Sequence, residues 1–453
     1  MAELRRELGI WGAASIVVGT VIGSGIFLVP KTMVLRVGSP EMVFAVWIAA
    51  GLLSLAGALT YAELAAAMPE AGGEYVYLKR AYGPFFGFMY GWTMVWVAKS
   101  GAIATLATAF FYYLANFYPS LDGVLWTIPL PIGPGGGPLE ISQGQLLAMA
   151  VIASLAVVNY FGIKAGGGVQ VVVTIVKVAC ILAIIAIGLT SSVGSTANFS
   201  TSIPAGGGIA GFFAAMVAAL WAYDGWNNVT MVASEIKKPQ RNLPLALMAG
   251  TLCVVVLYLA TNVAYFLVLS AGEVGSSDRV AAAMMRKALG EGGAAVVSVA
   301  AMISIFAALN GSILTGSRVP YAMARDHLFF EKTGLVHEKY HSPAVSILLL
   351  SAWSALLVLS GRYEQLFTYV IFASWILYGM AAASVIVLRR KEPNMERPYR
   401  TIGYPVVPVL FVVVALCLLG NTLVESPRES ILGLGLIFLG LPFYFYWKRR
   451  PKV

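Results

Sequence analysis

"GTVIGSGIF", Gly19 to Phe27, lies in the middle of an apolar run that is long enough to cross a bilayer. Three glycines, a threonine and a serine in nine residues make a poor helix. At membrane depth, backbone that leaves the helix is tolerated only where it lines a cavity or meets a ligand. Two readings stand for this stretch alone. "GTVIG" is a G-x-x-x-G pattern, which lets two membrane helices approach closely. The alternative is a broken helix at a binding site, and that reading calls for a counterpart elsewhere in the chain.

The counterpart is "LWAYDGWNNVT", Leu220 to Thr230, where Asp224-Gly225 and two asparagines interrupt another apolar run. It falls in the sixth run, so the two interrupted segments enter the membrane from opposite sides. Paired interruptions of this kind mark an inverted repeat with its binding site at mid-membrane. The pairing favours the binding-site reading for both.

The composition agrees with a membrane origin. The 453 residues are 59% hydrophobic and 11% charged, against roughly 25% charged in soluble domains. About twelve apolar stretches are each long enough to span as helices, at 9–37, 41–68, 85–117, 144–162, 167–191, 209–235, 243–270, 294–324, 343–360, 363–390, 403–423 and 428–447. Strand alternation is absent from these runs, which argues against a β-barrel. The expected fold class is an all-α membrane protein of twelve transmembrane helices.

The net charge of +9 does not indicate a nucleic-acid partner once the basic residues are placed. With twelve spans and a cytoplasmic N-terminus, 21 Lys and Arg fall on the cytoplasmic side and 7 outside. This positive-inside bias places both termini in the cytoplasm of a cell-membrane protein. The remaining two, Lys99 and Lys177, fall within spans. The first run is too long, and lacks the small-residue cleavage site, for a removable signal peptide. Cys180, Cys253 and Cys417 all lie within spans, so no disulfide framework is expected. The outside loop near 118–143, with "PLPIGPGGGP", reads as a short connector.

Unwinding at Gly23-Ser24-Gly25 frees N–H groups at the positive end of a half-helix, which favours an anion such as a carboxylate. The last carbonyls of the preceding half-helices attract a cation. Donors facing acceptors in one pocket suit a zwitterion, and the α-carboxylate and α-amino groups of an amino acid fit. Lys177 sits deep in "VVVTIVKVACILAII". A charge there costs several kcal/mol unless it is partnered, and is a functional candidate by default; snorkelling to an interface is disfavoured by its depth.

Four segments together carry a family likeness: "GTVIGSGIF", "YAELAAAMPEAGGEYVYLKRAYGPFFGF", "WAYDGWNNVTMVASEIKKPQRNLPLA" and "NGSILTGSRVPYAMARD". Over nearly the whole chain the sequence resembles the amino acid–polyamine–organocation superfamily, and within it the L-type amino acid transporters. The resemblance implies a five-plus-five inverted repeat with broken first and sixth helices. The repeats would cover 1–191 and 209–390, with two added C-terminal helices at 403–447. It implies that backbone N–H groups of Ser24 and Gly25 bind the substrate carboxylate, with Gly23 giving room. Carbonyls of Val21, Trp221 and Asp224 would receive the amino group, and Trp221 would be an aromatic gate, though many relatives carry phenylalanine there. Trp221 also suits a core or lipid-facing aromatic. Lys177 resembles a fixed replacement for the metal ion that sodium-coupled relatives hold between the first and eighth spans.

Other polar positions leave two readings each. Asn227 suits a contact to the substrate side chain, and Asn310 suits a place in the eighth span near Lys177. Both equally suit interhelical hydrogen bonds. Asp224 suits attraction of a cationic substrate tail or support of the unwound backbone. Lys99 matches a basic position of L-type relatives, with a structural role equally open. Glu63 and Glu235 read as partners of local basic residues, with Glu235 and Arg318 as a candidate inner gate. His327, His337 and His341 have no metal-site spacing, and no metal or cofactor is expected. Mammalian L-type carriers are joined to a glycoprotein through a cysteine in the loop after the third span; Tyr118 to Gln143 has none, so no disulfide-linked heavy subunit is expected. The leading function is sodium-independent amino-acid transport by alternating access, as an exchanger, with amino acid and membrane lipid as the partners. Proton-coupled symport is the alternative. A membrane-embedded enzyme is less favoured, since no H-E-x-x-H or G-x-S-x-G element is present.

Overall fold

The computed structural model describes residues 3–115, 117–129, 138–359, 363–425 and 427–449. Residues 130–137 of the glycine-rich loop, and Arg362, Arg450 and Lys452 of the charge count, lie outside the described residues. Among the described residues nine helices are long and apolar enough to cross a membrane, and ten if the bent first pair is one span. The shorter apolar helix Ala344–Val358 and the helix Tyr363–Lys391 stand at the expected ninth and tenth spans.

The first span is two helices, Ile10–Val21 and Gly25–Val37, bent by 40° at the glycine-serine break. The second, Pro40–Ala67, is capped by Ser39, whose side chain accepts from Met42 N at 3.4 Å. Gly72 and Gly73, at φ +110° and +57°, turn the chain into a helix, Glu74–Tyr82, that lies outside the expected spans. The third span, Pro84–Leu114, carries a five-residue π turn at Met94–Ala98. The fourth and fifth are Gln143–Tyr160 and Ile163–Thr190.

The loop between the third and fourth spans is more than a connector. Val124–Ile128 and Leu139–Ser142 pair as antiparallel strands. "VLWTI" is rich in β-branched and aromatic residues, and Ser142 ends the second strand by forming a capping box with Gln145. The cue was local and the glycines between the strands masked it.

The sixth span is also broken. Helix Gly208–Tyr223 ends at Asp224, Gly225 takes a φ of +106°, and Trp226–Glu235 continues as a 3₁₀ helix. The segment is kinked at Val232, φ −102° and ψ 19°, and so is two short 3₁₀ pieces, in keeping with the few residues over which that geometry normally runs. The seventh span, Pro239–Val268, is followed by two short helices, Ala271–Ser276 and Val280–Leu289. The eighth, Glu291–Gly316, continues into Arg318–Arg325. Helices Val406–Glu425, Pro427–Phe438 and Gly440–Arg449 complete the chain.

One end of the bundle is closed by buried ion pairs. Arg318 holds Glu235 through two bonds, at 2.7 and 3.0 Å, and gives a third to Leu314 O. The backbone N–H groups of Glu7 and Leu8 donate to Glu235 O, which ties the N-terminal segment over the same end. Glu63 accepts from Arg389 at 2.9 and 2.7 Å and from Thr401 N at 2.7 Å. Glu235 and Arg318 are both buried, so Glu235→Ala leaves an uncompensated guanidinium. Loss of one partner of a buried pair costs about 3–5 kcal/mol. The variant is expected to unfold several degrees below the parent in a detergent thermal melt, and an unchanged melting temperature refutes the closure role of this pair.

Candidate functional site

The two breaks meet. Thr20 Oγ1 donates to Gly225 O at 2.8 Å, joining the end of the first half-helix to the turn in the sixth span. Tyr258, from the seventh span, places its hydroxyl 3.1 Å from Val21 O and 2.9 Å from Ala222 O. The last carbonyls of both first halves therefore share one donor. A Cβ on Gly25 would stand 2.6 Å from Ala222 Cα, so only glycine allows the second half of span one to approach the sixth span this closely. At Gly23 the added carbon would meet Leu106 and Ala308 at 3.4 and 3.7 Å, which are ordinary contacts. The N–H groups of Ser24 and Gly25 have no hydrogen bond among the described residues.

Between the breaks lies a cavity of about 30 Å³, lined among others by Val21, Gly23, Ser24, Gly25, Trp221 and Asp224. A cavity that size holds a water or two. This conformation is thus closed around the site. Six of the residues expected to meet substrate line it together, joined by Thr20, Lys99, Gly225, Asn228 and Ser312 among others. Asp224 Oδ1 accepts from Tyr378 at 2.9 Å, and Asp224 N donates to Trp221 O at 3.1 Å. Its carboxylate is therefore engaged beside the turn as well as lining the cavity.

Lys177 lies midway along the fifth span and is fully buried. Its ammonium donates to Gly19 O at 2.7 Å and to Ile22 O. Ser304, from the eighth span, donates to the same Ile22 carbonyl at 3.2 Å. The cation thus sits on carbonyls that the break in span one has released. The approach is close: a Cβ on Gly19 would collide with Gln170 and Thr174 of the same fifth span.

Two expected residues stand elsewhere. Asn227 is buried and donates to Glu74 rather than lining the cavity; its neighbour Asn228 lines it and accepts from Lys99 Nζ at 2.6 Å. Asn310 is not a partner of Lys177. It donates to Gln170 Oε1 at 2.9 Å and Gly166 O at 3.1 Å, and accepts from Asn159 at 2.9 Å, knitting spans four, five and eight. The sequence pointed to Asn227 rather than Asn228, because which of the two faces inward depends on the 3₁₀ pitch of the segment.

Lys99 reaches the cavity because the π turn just before it shifts the register of the third span. Glu74 is the residue sequence reasoning missed. It opens a short helix outside the spans yet is fully buried, held by Asn227 and by Tyr90 Oη at 2.9 Å. Burial pushes its carboxyl above the usual range, opposed by those hydrogen bonds and by the nearby Lys99 charge. The available signal was the Gly72-Gly73 pair before it: a Cβ on Gly73 would overlap Thr230 of the sixth span.

Comparison with known proteins agrees in scale. Residues 8–441 match the family described as amino acid permease. The serine/threonine exchanger SteT of Bacillus subtilis is 33% identical over 452 residues, covering 99% of this chain and 98% of its own. The human b(0,+)-type amino acid transporter 1 is 32% identical over 448 residues, covering 98% of this chain and 88% of its own. The human cystine/glutamate transporter is 29% identical over 455 residues, covering 99% and 87%.

Proposed function

The chain belongs to the amino acid permease family, and on that premise we propose that it is a sodium-independent amino-acid exchanger working by alternating access. The observation that carries the reading is Lys177, whose ammonium occupies Gly19 O and Ile22 O beside Ser304. A fixed cation on those carbonyls leaves no role there for a mobile one. Substrate would lie between the breaks, its carboxylate on the N–H groups of Ser24 and Gly25 and its ammonium toward the Val21 and Trp221 carbonyls. Asp224 and Lys99 line the same cavity with opposite charges, and Asn228 and Ser312 add neutral polar groups. That lining suits small polar side chains without net charge, the class for which the Bacillus relative is named.

The rest of the reading concerns organisation. Repeats at 1–191 and 209–390, with 403–447 added, put the two breaks at corresponding places. The ends tied down by Glu235 and Arg318, with both termini, face the cytoplasm of the cell membrane, as the basic residues do. The carrier works without a disulfide-linked subunit, since its three cysteines lie in helices.

Proteoliposomes test the mode directly. Uptake of labelled L-serine is expected to require unlabelled amino acid inside and to ignore replacement of sodium by choline. A several-fold fall without sodium overturns the reading of Lys177. Uptake into empty vesicles driven by an imposed pH gradient replaces exchange with proton symport.

A further inference from the structure

The end of the bundle away from the termini carries two concave surfaces, stacked along the third and eighth spans. The upper is a cavity of about 620 Å³ between Tyr112, Phe117, Ser298 and the short helix Val280–Leu289, and it includes Arg279 and Arg286. The lower is an apolar groove of about 430 Å³, lined by Phe110, Leu114, Val176, Val299, Met302 and Phe306 among others. On the eighth span Ala295 of the cavity stands one turn before Val299 of the groove, and Phe117 of the cavity follows Leu114 of the groove by three residues. The two surfaces therefore adjoin along these spans. Val176 and Val299 are exposed, so the groove opens on the outer, bilayer-facing side of the bundle.

The cavity is lined by two acids, Asp278 and Glu291, and two bases, Arg279 and Arg286. Asp278 is paired with Lys31, and Glu291 with Arg286 at 2.9 Å. Arg279 has no carboxylate within ion-pair distance among the described residues. Its guanidinium lies 4.3 Å from the centre of the Tyr112 ring, which holds it flat against the cavity wall. Its Nη2 donates to Tyr112 O at 3.4 Å, and its Nε is buried with no hydrogen-bond partner among the described residues. A buried donor on a cation is a standing deficit that an anion removes.

We infer that this feature holds one anionic phospholipid, its phosphate on Arg279 and one acyl chain along the groove below. An arginine held at the end of an apolar groove matches the two ends of that molecule, and neither half alone would. A free amino acid or soluble phosphate would use the cavity and leave the groove empty. The inference is independent of the transport reading, because it needs neither the central cavity nor Lys177.

Native mass spectrometry of the purified full chain tests it, with palmitoyl-oleoyl-phosphatidylglycerol and the matching phosphatidylcholine as probes. The parent is expected to retain one phosphatidylglycerol with at least several-fold preference over phosphatidylcholine. Arg279→Gln, which removes the charge, should lose that preference, and Arg279→Lys should recover part of it. Val299→Trp, which fills the groove, should reduce retention of both lipids. Glycerol 3-phosphate in excess should displace neither. Undiminished phosphatidylglycerol retention in Arg279→Gln overturns the inference, as does equal retention of the two lipids by the parent. Displacement by glycerol 3-phosphate overturns it in favour of a soluble-anion site. Should Val299→Trp fail to fold, Arg279→Gln and the competition decide.

Discussion

Gly25→Ala is expected to lower amino-acid affinity at least about a hundredfold, a loss of about 2.8 kcal/mol. The added carbon falls 2.6 Å from Ala222 Cα, on backbone rather than on the end of a flexible side chain. The sixth span has to retreat, and the N–H groups at the start of helix Gly25–Val37 then no longer face the carbonyls across the cavity. Ser24→Pro separates the donor from the shape. Ser24 has φ −76°, which a proline ring accepts, so the bend persists while one N–H is removed. Both variants should elute as monodisperse protein and fail to bind in an equilibrium assay with labelled substrate. Parental affinity in Ser24→Pro would remove the carboxylate from this half-helix end.

Lys177→Met should leave a folded carrier whose exchange rate falls at least about tenfold, within the 1–3 kcal/mol typical of coupling between sites. Methionine keeps the length and burial but supplies no donor to Gly19 O or Ile22 O. The carbonyls lose the cation that ties the fifth span to the break in the first. Initial rates of serine–serine exchange in proteoliposomes, normalised to reconstituted protein, measure the effect. A parental rate in the Met variant means that the charge is unnecessary. Sodium-stimulated exchange in the same variant would instead indicate that the vacated carbonyls accept a mobile cation.

The sequence made the framework legible because bilayer physics writes it in bulk. Apolar runs announce helices, and glycine, serine or asparagine within such a run announces a break. Lys177 stood out for the same reason, as a charge where none is affordable without partners. What stayed hidden depends on local pitch and on contacts distant in the chain. Asn227 and Asn228 are indistinguishable until the 3₁₀ winding of Trp226–Glu235 turns one toward Glu74 and the other toward the cavity. Asn310 has Lys177 within the same core but hydrogen-bonds to Asn159 and Gln170, a choice fixed by how spans four, five and eight stack. Glu74 opens a helix outside the apolar runs, and the tight Gly72-Gly73 turn carries it inside. The two short helices Ala271–Ser276 and Val280–Leu289 lie between spans that hydropathy marks clearly, in a stretch it leaves blank.

The single hydroxyl of Tyr258 has a thermodynamic consequence for traffic through the carrier. It has one proton to offer and two carbonyls, Val21 O and Ala222 O, within reach. In the closed form the protein offers one proton to those two oxygens and, among the described residues, no acceptor to the amides of Ser24 and Gly25, which leaves these groups to water or to cargo. Left without either, each such buried group would cost about 1–3 kcal/mol. A bound zwitterion supplies both missing partners at once. Under the exchange reading, the vacant carrier therefore faces a higher barrier through its closed form than the loaded one does. On that reading the hydrogen-bond count of the closed form slows return without cargo, and one molecule leaves chiefly when another has arrived.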